Sequence, residues 1–450
     1  MDYKTLYEKT PPTKLFAIVA IPGIISMLVS SLYQIIDGAF VGQLLGATAF
    51  AALQLVMPLV ILNFSIADLI GVGSAVPIAI KLGEKDEQAA SNIFSSACLM
   101  IIGSGIILGI ILFLFADDFV RLMGADEQLV TMASQYLRVY AVCSPFTTIL
   151  FAVDNYLRIC GRVRYSMMVN ILMSVASVLL EFLFLFVFRF GIWGAALATS
   201  CGMFIAVIVA FMPFFFGKMQ LRFVRPKIDR KIVAIILANG APSFLNNIAG
   251  RITSIIINVF LLRLGGVMAV SAYGVLMYAE SLVLPVLYGL CDSLQPAVGY
   301  NYGAKNYRRI FAIERRCFGA CAVVSLLMTA VMLLSGQTIV GIFVKAEDTA
   351  LIALSVHALS LFAFTYLTRW ISFAAQSYMS AIGKPGYATA ISLSMAFVFP
   401  VMLLFALGFL GLDGLWLNMP VASLLTAILS VAILLDYYRK EIKQKQIVYQ

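Results

Sequence analysis

Charge is scarce in this sequence. Of 450 residues only 12% are Asp, Glu, Lys or Arg, against 62% that are hydrophobic. A water-soluble domain carries about 25% charged residues and about half apolar ones. A chain this poor in charge cannot cover itself with polar surface in water, so lipid must solvate much of it. Histidine is rarer still: His357 is the single one, which excludes a multi-histidine metal or haem site. There is no CxxC pair either. Cys98, Cys143, Cys160, Cys201, Cys291, Cys317 and Cys321 are scattered, mostly inside apolar runs, and read as free thiols without metal or disulfide duty. The alternating tens of a transmembrane β-barrel are missing too. The start, MDYKTLYEKTPPTK, has no small-residue cleavage site before the first apolar run, so no removable signal peptide is expected.

What the sequence does have is long apolar runs. Twelve of them, bounded by charges, lie near 15–42, 51–80, 91–115, 130–157, 165–188, 192–216, 232–262, 268–300, 310–335, 350–382, 386–409 and 414–437. Each is long enough to cross a hydrocarbon core roughly 30 Å thick, and several exceed what one crossing needs, so tilt or extension beyond the bilayer is expected. The net charge of +9, which in a soluble protein would suggest nucleic acid, here follows membrane topology. With both termini inside, 24 of the 31 Lys and Arg fall on inner segments, among them Lys4, Lys85, Arg158, Arg222, Lys305 and Arg439, with Lys218, Lys443 and Lys445 also counted there. Only Arg121, Arg189, Arg263 and Lys345 fall outside. This asymmetry predicts a multi-pass inner- or plasma-membrane protein with cytoplasmic N- and C-termini.

The two halves of the chain repeat each other. At an offset of 220 residues Pro22 falls on Pro242, Gly46 on Gly266, Gly83 on Gly303, Lys85 on Lys305, Gly191 on Gly411 and Gly194 on Gly414. At 222, Phe151, Tyr156, Gly161 and Tyr165 fall on Phe373, Tyr378, Gly383 and Tyr387. Six spans per half is an even number, so the halves share an orientation. The expected fold is all-α: twelve transmembrane helices as two pseudo-symmetric six-helix lobes, residues 1–217 and 232–450, joined by the basic segment 218–231. That linker reads as a solvated cytoplasmic stretch that also grips anionic headgroups. Parallel repeats are a transporter architecture with substrate held between the lobes. A duplicated channel or an integral-membrane enzyme could show the same symmetry.

An ionisable side chain at membrane depth costs at least ~2.5 kcal/mol, so each one is a functional suspect. Six acids qualify (Asp37, Asp68, Asp154, Glu181, Glu280, Asp292) and three bases (Arg138, Arg251, Arg369), an acid excess that would attract cations. Asp37, Glu181 and Thr199 reach a similar level, roughly 10–12 Å below the outer surface at 1.5 Å per residue. Ser177 lies one turn below Glu181 on the same face. Together these oxygens could form a pocket for a proton or a small hard cation such as Na+, in which two carboxyls would share a proton. Each carboxyl could equally be satisfied by its own Ser or Thr neighbours. Arg251 and Glu280, both near mid-membrane, read as a structural ion pair, and Arg369 as a neutraliser of Glu280 or Asp292. Asp154, just before Arg158 at the cytoplasmic end of span 4, reads as a solvated or ion-paired end residue. Asp68 has no evident partner in the sequence. His357 reads as an interfacial or packed residue rather than a proton relay. The 20 Met, 33 Phe and 19 Tyr either face lipid and core or line a deformable chamber for flat cations.

With these features in place the chain resembles the MATE (multidrug and toxic compound extrusion) transporters, within the wider MOP flippase superfamily. The resemblance covers nearly the whole chain. Its carriers are IIDGAFVGQLLGATAFAAL, GVGSAVPIAIKLGEKD, SVLLEFLFLF, GIWGAALATS and SLQPAVGYNYGAKNY, in that order. It implies an antiporter in which H+ or Na+ entry drives export of organic cations by alternating access, with no other cofactor and no nucleic-acid partner, working as a monomer. It implies that Asp37, Glu181, Thr199 and Ser177 couple the cation, with Na+ at Asp37, Glu181 and Thr199 as one form of the site. Glu181 stands where many members have Asp, and Ser177 where they have Asn, which leaves the ion open. Asp292 matches an acidic position that some members carry, and Glu280, Asp154 and Asp68 join it as candidate substrate contacts. The second-lobe counterparts of Asp37 and Glu181 are Ile257 and Leu403, so the ion pocket is expected in the first lobe alone. Pro22–Gly23 is a candidate bend in span 1. A lipid-linked-precursor flippase of the same architecture would be expected to carry an Arg-rich chamber, and a membrane enzyme a cluster of catalytic His, Asp or Ser.

Overall fold

The computed structural model describes residues 3–216 and 219–442. Lys218, Lys443 and Lys445, counted above toward the inner face, lie outside the described residues. Every regular element among the described residues is helical. In chain order the α-helices are α1 (Pro12–Phe40), α2 (Ala47–Gly83), α3 (Glu87–Leu114), α4 (Ala116–Leu122), α5 (Glu127–Thr147), α6 (Ile149–Ile159), α7 (Val163–Phe182), α8 (Ile192–Phe215), α9 (Arg230–Asp292), α10 (Gln295–Gly303), α11 (Tyr307–Leu334), α12 (Gly336–Phe343), α13 (Thr349–Phe362), α14 (Tyr366–Ala381), α15 (Pro385–Leu393), α16 (Phe399–Leu407) and α17 (Leu412–Tyr437).

Helices follow from the solvent. A chain crossing hydrocarbon must satisfy its backbone internally. Where the chain leaves the membrane, side chains take over: Asp86, Asp126 and Asp229 accept the amide hydrogens of Ala89, Leu129 and Ile232 at 3.0, 2.8 and 2.7 Å, capping α3, α5 and α9. Eleven stretches among the described residues are long and apolar enough to cross a membrane. One of them, Arg230–Gly303, runs to 74 residues, far more than one crossing takes. It breaks at Gly266, whose φ of 62° and ψ of −158° are not helical. The two segments on either side correspond to the predicted spans at 232–262 and 268–300.

The repeat is written into the backbone. Gly46 and Gly266 both take positive φ (89° and 62°), as do Gly161 and Gly383 (77° and 68°), Gly191 and Gly411 (75° and 66°), and Lys85 and Lys305 (66° and 58°). The lysine pair is the telling one, because a non-glycine residue rarely enters this region. Each lysine ends a helix in the same way: Asp86 N–H reaches back to the Lys81 carbonyl at 2.9 Å, and Asn306 N–H to the Asn301 carbonyl at 2.8 Å. This six-to-one closure recurs where Arg162 bonds Leu157 and Lys384 bonds Met379, both at 2.9 Å.

The chain forms two compact units. The first comprises Met1–Phe244 with Pro296–Tyr307, the second Leu245–Gln295 with Arg308–Gln450. In the first unit, helices cross at backbone distance. A Cβ on Gly83 would lie 2.0 Å from the Tyr300 carbonyl oxygen, and one on Gly303 would lie 2.0 Å from that of Ile80. These two glycines are repeat partners, so the crossing is reciprocal. A second crossing sets Gly73 against Ile236 and Gly240 against Leu69, at 2.1 and 1.8 Å by the same measure.

Two segments expected to be plain polar flanks are docked within this unit. Tyr3, Leu6 and Tyr7 are buried; the Tyr7 hydroxyl donates to the Arg158 carbonyl, Asn301 donates to the Tyr7 carbonyl at 3.2 Å, and the Tyr300 hydroxyl donates to Glu8 at 2.6 Å. The basic segment is pinned along α3: the amides of Arg222, Val224 and Lys227 donate to Ser91, Ser95 and Asn92 at 3.2, 3.0 and 2.8 Å. The basic side chains from Arg222 to Lys231 stay exposed, but the backbone there is not a loose tether. Hydrogen-bonding groups of α3 explain this, and hydropathy alone does not register them. In the second unit α14 and α17 pack together, with the Thr368 and Ser423 hydroxyls hydrogen-bonded at 2.9 Å and the Tyr378 and Tyr437 rings edge to face.

Gly83→Ala or Gly303→Ala should each destabilise the fold by about 1–3 kcal/mol, because the added methyl meets backbone that cannot swing aside. Gly103→Ala and Gly319→Ala, which face open space, should be neutral or slightly stabilising. Thermal melting in detergent checks both.

Candidate functional site

In the first unit α7 packs along both α1 and α8. Sequence permits the close approach: a Cβ on Gly202 of α8 would lie 2.2 Å from the Ser177 hydroxyl oxygen on α7. Three residues earlier, about one turn, α8 presents Thr199. Its hydroxyl bonds the Asp37 carboxylate of α1 at 3.4 Å and the Tyr33 hydroxyl at 2.8 Å. Glu181 of α7 is fully buried and interacts directly with Asp37. Neither Glu181 carboxyl oxygen has a well-formed hydrogen bond. The Ser177 hydroxyl is also buried without one, although it lies beside Tyr33. The structure thus brings Asp37, Glu181, Thr199 and Ser177 together, as their depths suggested.

Sequence reasoning missed Tyr33 and Tyr136. Tyr33 stands four residues before Asp37 on the same helical face, a spacing that could have revealed it. Tyr136 of α5 is buried and borders Asp37, Glu181 and Tyr33; only the fold brings α5 to this place. The chemistry of the cluster is simple. Glu181 is buried and Asp37 half-buried, and two carboxyls in contact in such a place disfavour carrying both charges unless a cation accompanies them.

Asp154 belongs to a separate network. Its carboxylate pairs with Arg158 at 2.7 Å and accepts hydrogen bonds from Asn170 at 2.7 Å and from Ser166. Arg158 is 3% exposed and also donates to Ser166 at 3.1 Å. These partners engage the Asp154 carboxylate on two sides.

The second unit holds a cavity of about 280 Å³ lined in part by Arg251, Glu280, Tyr288, Arg369 and Phe373. Here one expected pairing needs correction. Glu280 is paired with Arg369, not with Arg251. Arg369 is held between the Glu280 carboxylate and the Phe373 ring, 5.6 Å from its centroid, whereas Arg251 is exposed and makes no ion pair among the described residues. Similar depth gave no information about which helix faces which. The cavity therefore counts two guanidinium groups to one carboxylate, so its local balance is opposite to the acid excess of the spans taken together. Asp292, half-buried nearby in sequence, accepts hydrogen bonds from Gln295 at 2.8 Å and Ser377 at 3.2 Å. Asp68 is half-buried midway along α2. Arg138 pairs with Asp117 of α4 at 2.8 Å, and His357 with Asp413 at 2.8 Å, both about half exposed.

Comparison with known proteins adds the family. The MatE family profile matches residues 22–183 and 242–406. The multidrug export protein MepA of Staphylococcus aureus is 26% identical over 432 residues, covering 95% of this chain and 94% of its own. MepA of Staphylococcus saprophyticus is 25% identical with the same coverage. Among solved structures, a MATE protein in its bent conformation superposes with a TM-score of 0.90 at 22% identity, over 99% of this chain and 98% of that one. A MOP superfamily transporter from Pyrococcus furiosus gives 0.88 at 22% identity, over 98% and 99%.

Arg158→Ala should destabilise the protein by about 3–5 kcal/mol, since it strands the Asp154 carboxylate in a largely buried site. Adding Asp154→Asn should restore part of that loss. Expression level and melting temperature of the single and double variants give the answer.

Proposed function

The chain belongs to the MatE family of membrane transporters, and on that footing we propose that it is an antiporter that exports lipophilic organic cations, driven by cation entry at Asp37 and Glu181. It is a multi-pass membrane transporter and not an enzyme. The observation that carries the coupling role is the buried Glu181 carboxyl, in contact with Asp37 and without a well-formed hydrogen bond. A site of this kind is stable with one cation bound and costly without it, so cation occupancy can select between conformations. A proton is the first choice, because two carboxyls in direct contact share one readily. Na+ is the second, favoured by the hydroxyls of Thr199, Tyr33 and Ser177 around the same point.

In the proposed cycle the ion enters this pocket from outside, α1 bends at Pro22–Gly23, and the organic cation leaves outward. Both termini are cytoplasmic and the protein acts as a monomer with two lobes, residues 1–217 and 232–450. Export of drugs is supported by the resemblance to MepA, a multidrug export protein. Asp292 serves as a substrate contact in this reading, and Met277, Met395 and Met419 with Tyr288 and Phe373 give the cavity of the second unit deformable apolar walls. A second reading is favoured by Arg251 and Arg369 in that cavity: a substrate carrying an acid group, such as a lipid-linked precursor, which guanidinium groups would recognise.

Dye accumulation in efflux-deficient bacteria separates these. Wild-type protein should lower ethidium accumulation, and Asp37→Asn and Glu181→Gln, at matched membrane expression, should return it close to the empty-vector level. If wild type leaves ethidium unchanged, the acid-bearing substrate gains; if wild type works and both variants match it, the coupling site lies elsewhere.

A further inference from the structure

Three of the cysteines read from sequence as unrelated thiols converge in space. Cys291 lies at the end of α9, and Cys317 and Cys321 are one turn apart on one face of α11. Their sulfur atoms all lie within 4.8 Å of one another, with Cys291 and Cys321 at 3.4 Å. All three residues are at most 2% exposed. Glu314 stands one turn before Cys317 on the same face of α11 and is an acidic neighbour of the group. Buried single cysteines are common and behave as small apolar residues. Packing alone gives no reason for three sulfurs from two helices to meet at one point.

We propose that Cys291, Cys317 and Cys321 form a binding site for a thiophilic metal ion, Cu+ or Zn2+. Thiolates about 2.3 Å from such an ion set their sulfurs roughly 3.7–4.0 Å apart, within the spread found here, so only small side-chain adjustments are needed. Soft sulfur donors select these ions over Mg2+ or Ca2+. Binding exchanges thiol protons for the metal: each S–H that becomes a ligand releases one proton, up to three per ion. No oxidant or reductant is involved. Cys291 precedes the turn at Ser293–Leu294 by two residues, so the end of α9 can yield locally to admit the ion. The carboxylate of Glu314 is the candidate fourth ligand or proton acceptor. The bound ion would tie α9 to α11 within the second unit, and the site is independent of the coupling pocket at Asp37 and Glu181.

The test uses the reduced, purified full chain in detergent, titrated with Cd2+ under anaerobic conditions. Wild type should develop a thiolate-to-metal charge-transfer band that saturates at one equivalent and is lost when Cu+ displaces the Cd2+, and it should melt at a higher temperature with metal. Cys317→Ser and Cys321→Ser should each lose the band while keeping the metal-free melting temperature near that of wild type. The variant with Cys98, Cys143, Cys160 and Cys201 all changed to Ser should keep it. The proposal is overturned if the band is absent in wild type, or if it survives in both single variants and vanishes in the quadruple one. It is also overturned if Cys291 and Cys321 form a disulfide under mild oxidation while the reduced protein takes up no metal.

Discussion

Two carboxyl groups placed in contact at membrane depth impose a condition that the surrounding structure has to meet. Glu181 is fully buried and Asp37 half-buried, and a lone charge at membrane depth is costly. A cation shared by the Asp37–Glu181 pair, as proposed above, would meet that condition, and the helices around it hold both acids in contact. Gly202 lets α8 approach Ser177 on α7, which places Thr199 against Asp37 and Tyr33.

The other intramembrane charges obey the same condition by a different means. Asp154 is compensated by Arg158 and Glu280 by Arg369, so these acids need no mobile cation. This separates acids fixed by a permanent basic partner from the Asp37–Glu181 pair, which has no such partner among the described residues. Depth and residue type cannot make the distinction, because both groups look alike in a hydropathy profile. Close backbone crossings at Gly83 and Gly303, and at Gly73 and Gly240, serve the first unit in a related way. With no apolar driving force between helices in lipid, close packing of small residues is what holds helices together.

Much of this was legible in the sequence. The scarcity of charge and the apolar runs gave an all-helical membrane protein, and the offset of 220 residues located glycines and a lysine that do share backbone conformations. Depth counting brought Asp37, Glu181 and Thr199 to one level because a straight helix has a fixed rise. What failed was rotation and neighbour identity. Glu280 pairs with Arg369 on α14 and not with Arg251, and no count along one helix says which helix faces it. Tyr136 was invisible for the same reason. The docking of the N-terminal Tyr3 and Tyr7, and the pinning of the basic segment by Ser91, Asn92 and Ser95, depend on hydrogen bonds that a polar composition conceals.

The central claim is that substrate and one cation compete through the carboxyl pair. Calorimetric titration of the purified transporter with ethidium, repeated in buffers of different ionisation enthalpy and with and without Na+, measures the ion released as substrate binds. Wild type is expected to give up a proton on binding, or a Na+ ion if Na+ is the coupling ion, and Asp37→Asn and Glu181→Gln to bind without releasing either. Equal release from wild type and both variants would contradict it, as would binding by wild type that depends on neither pH nor Na+.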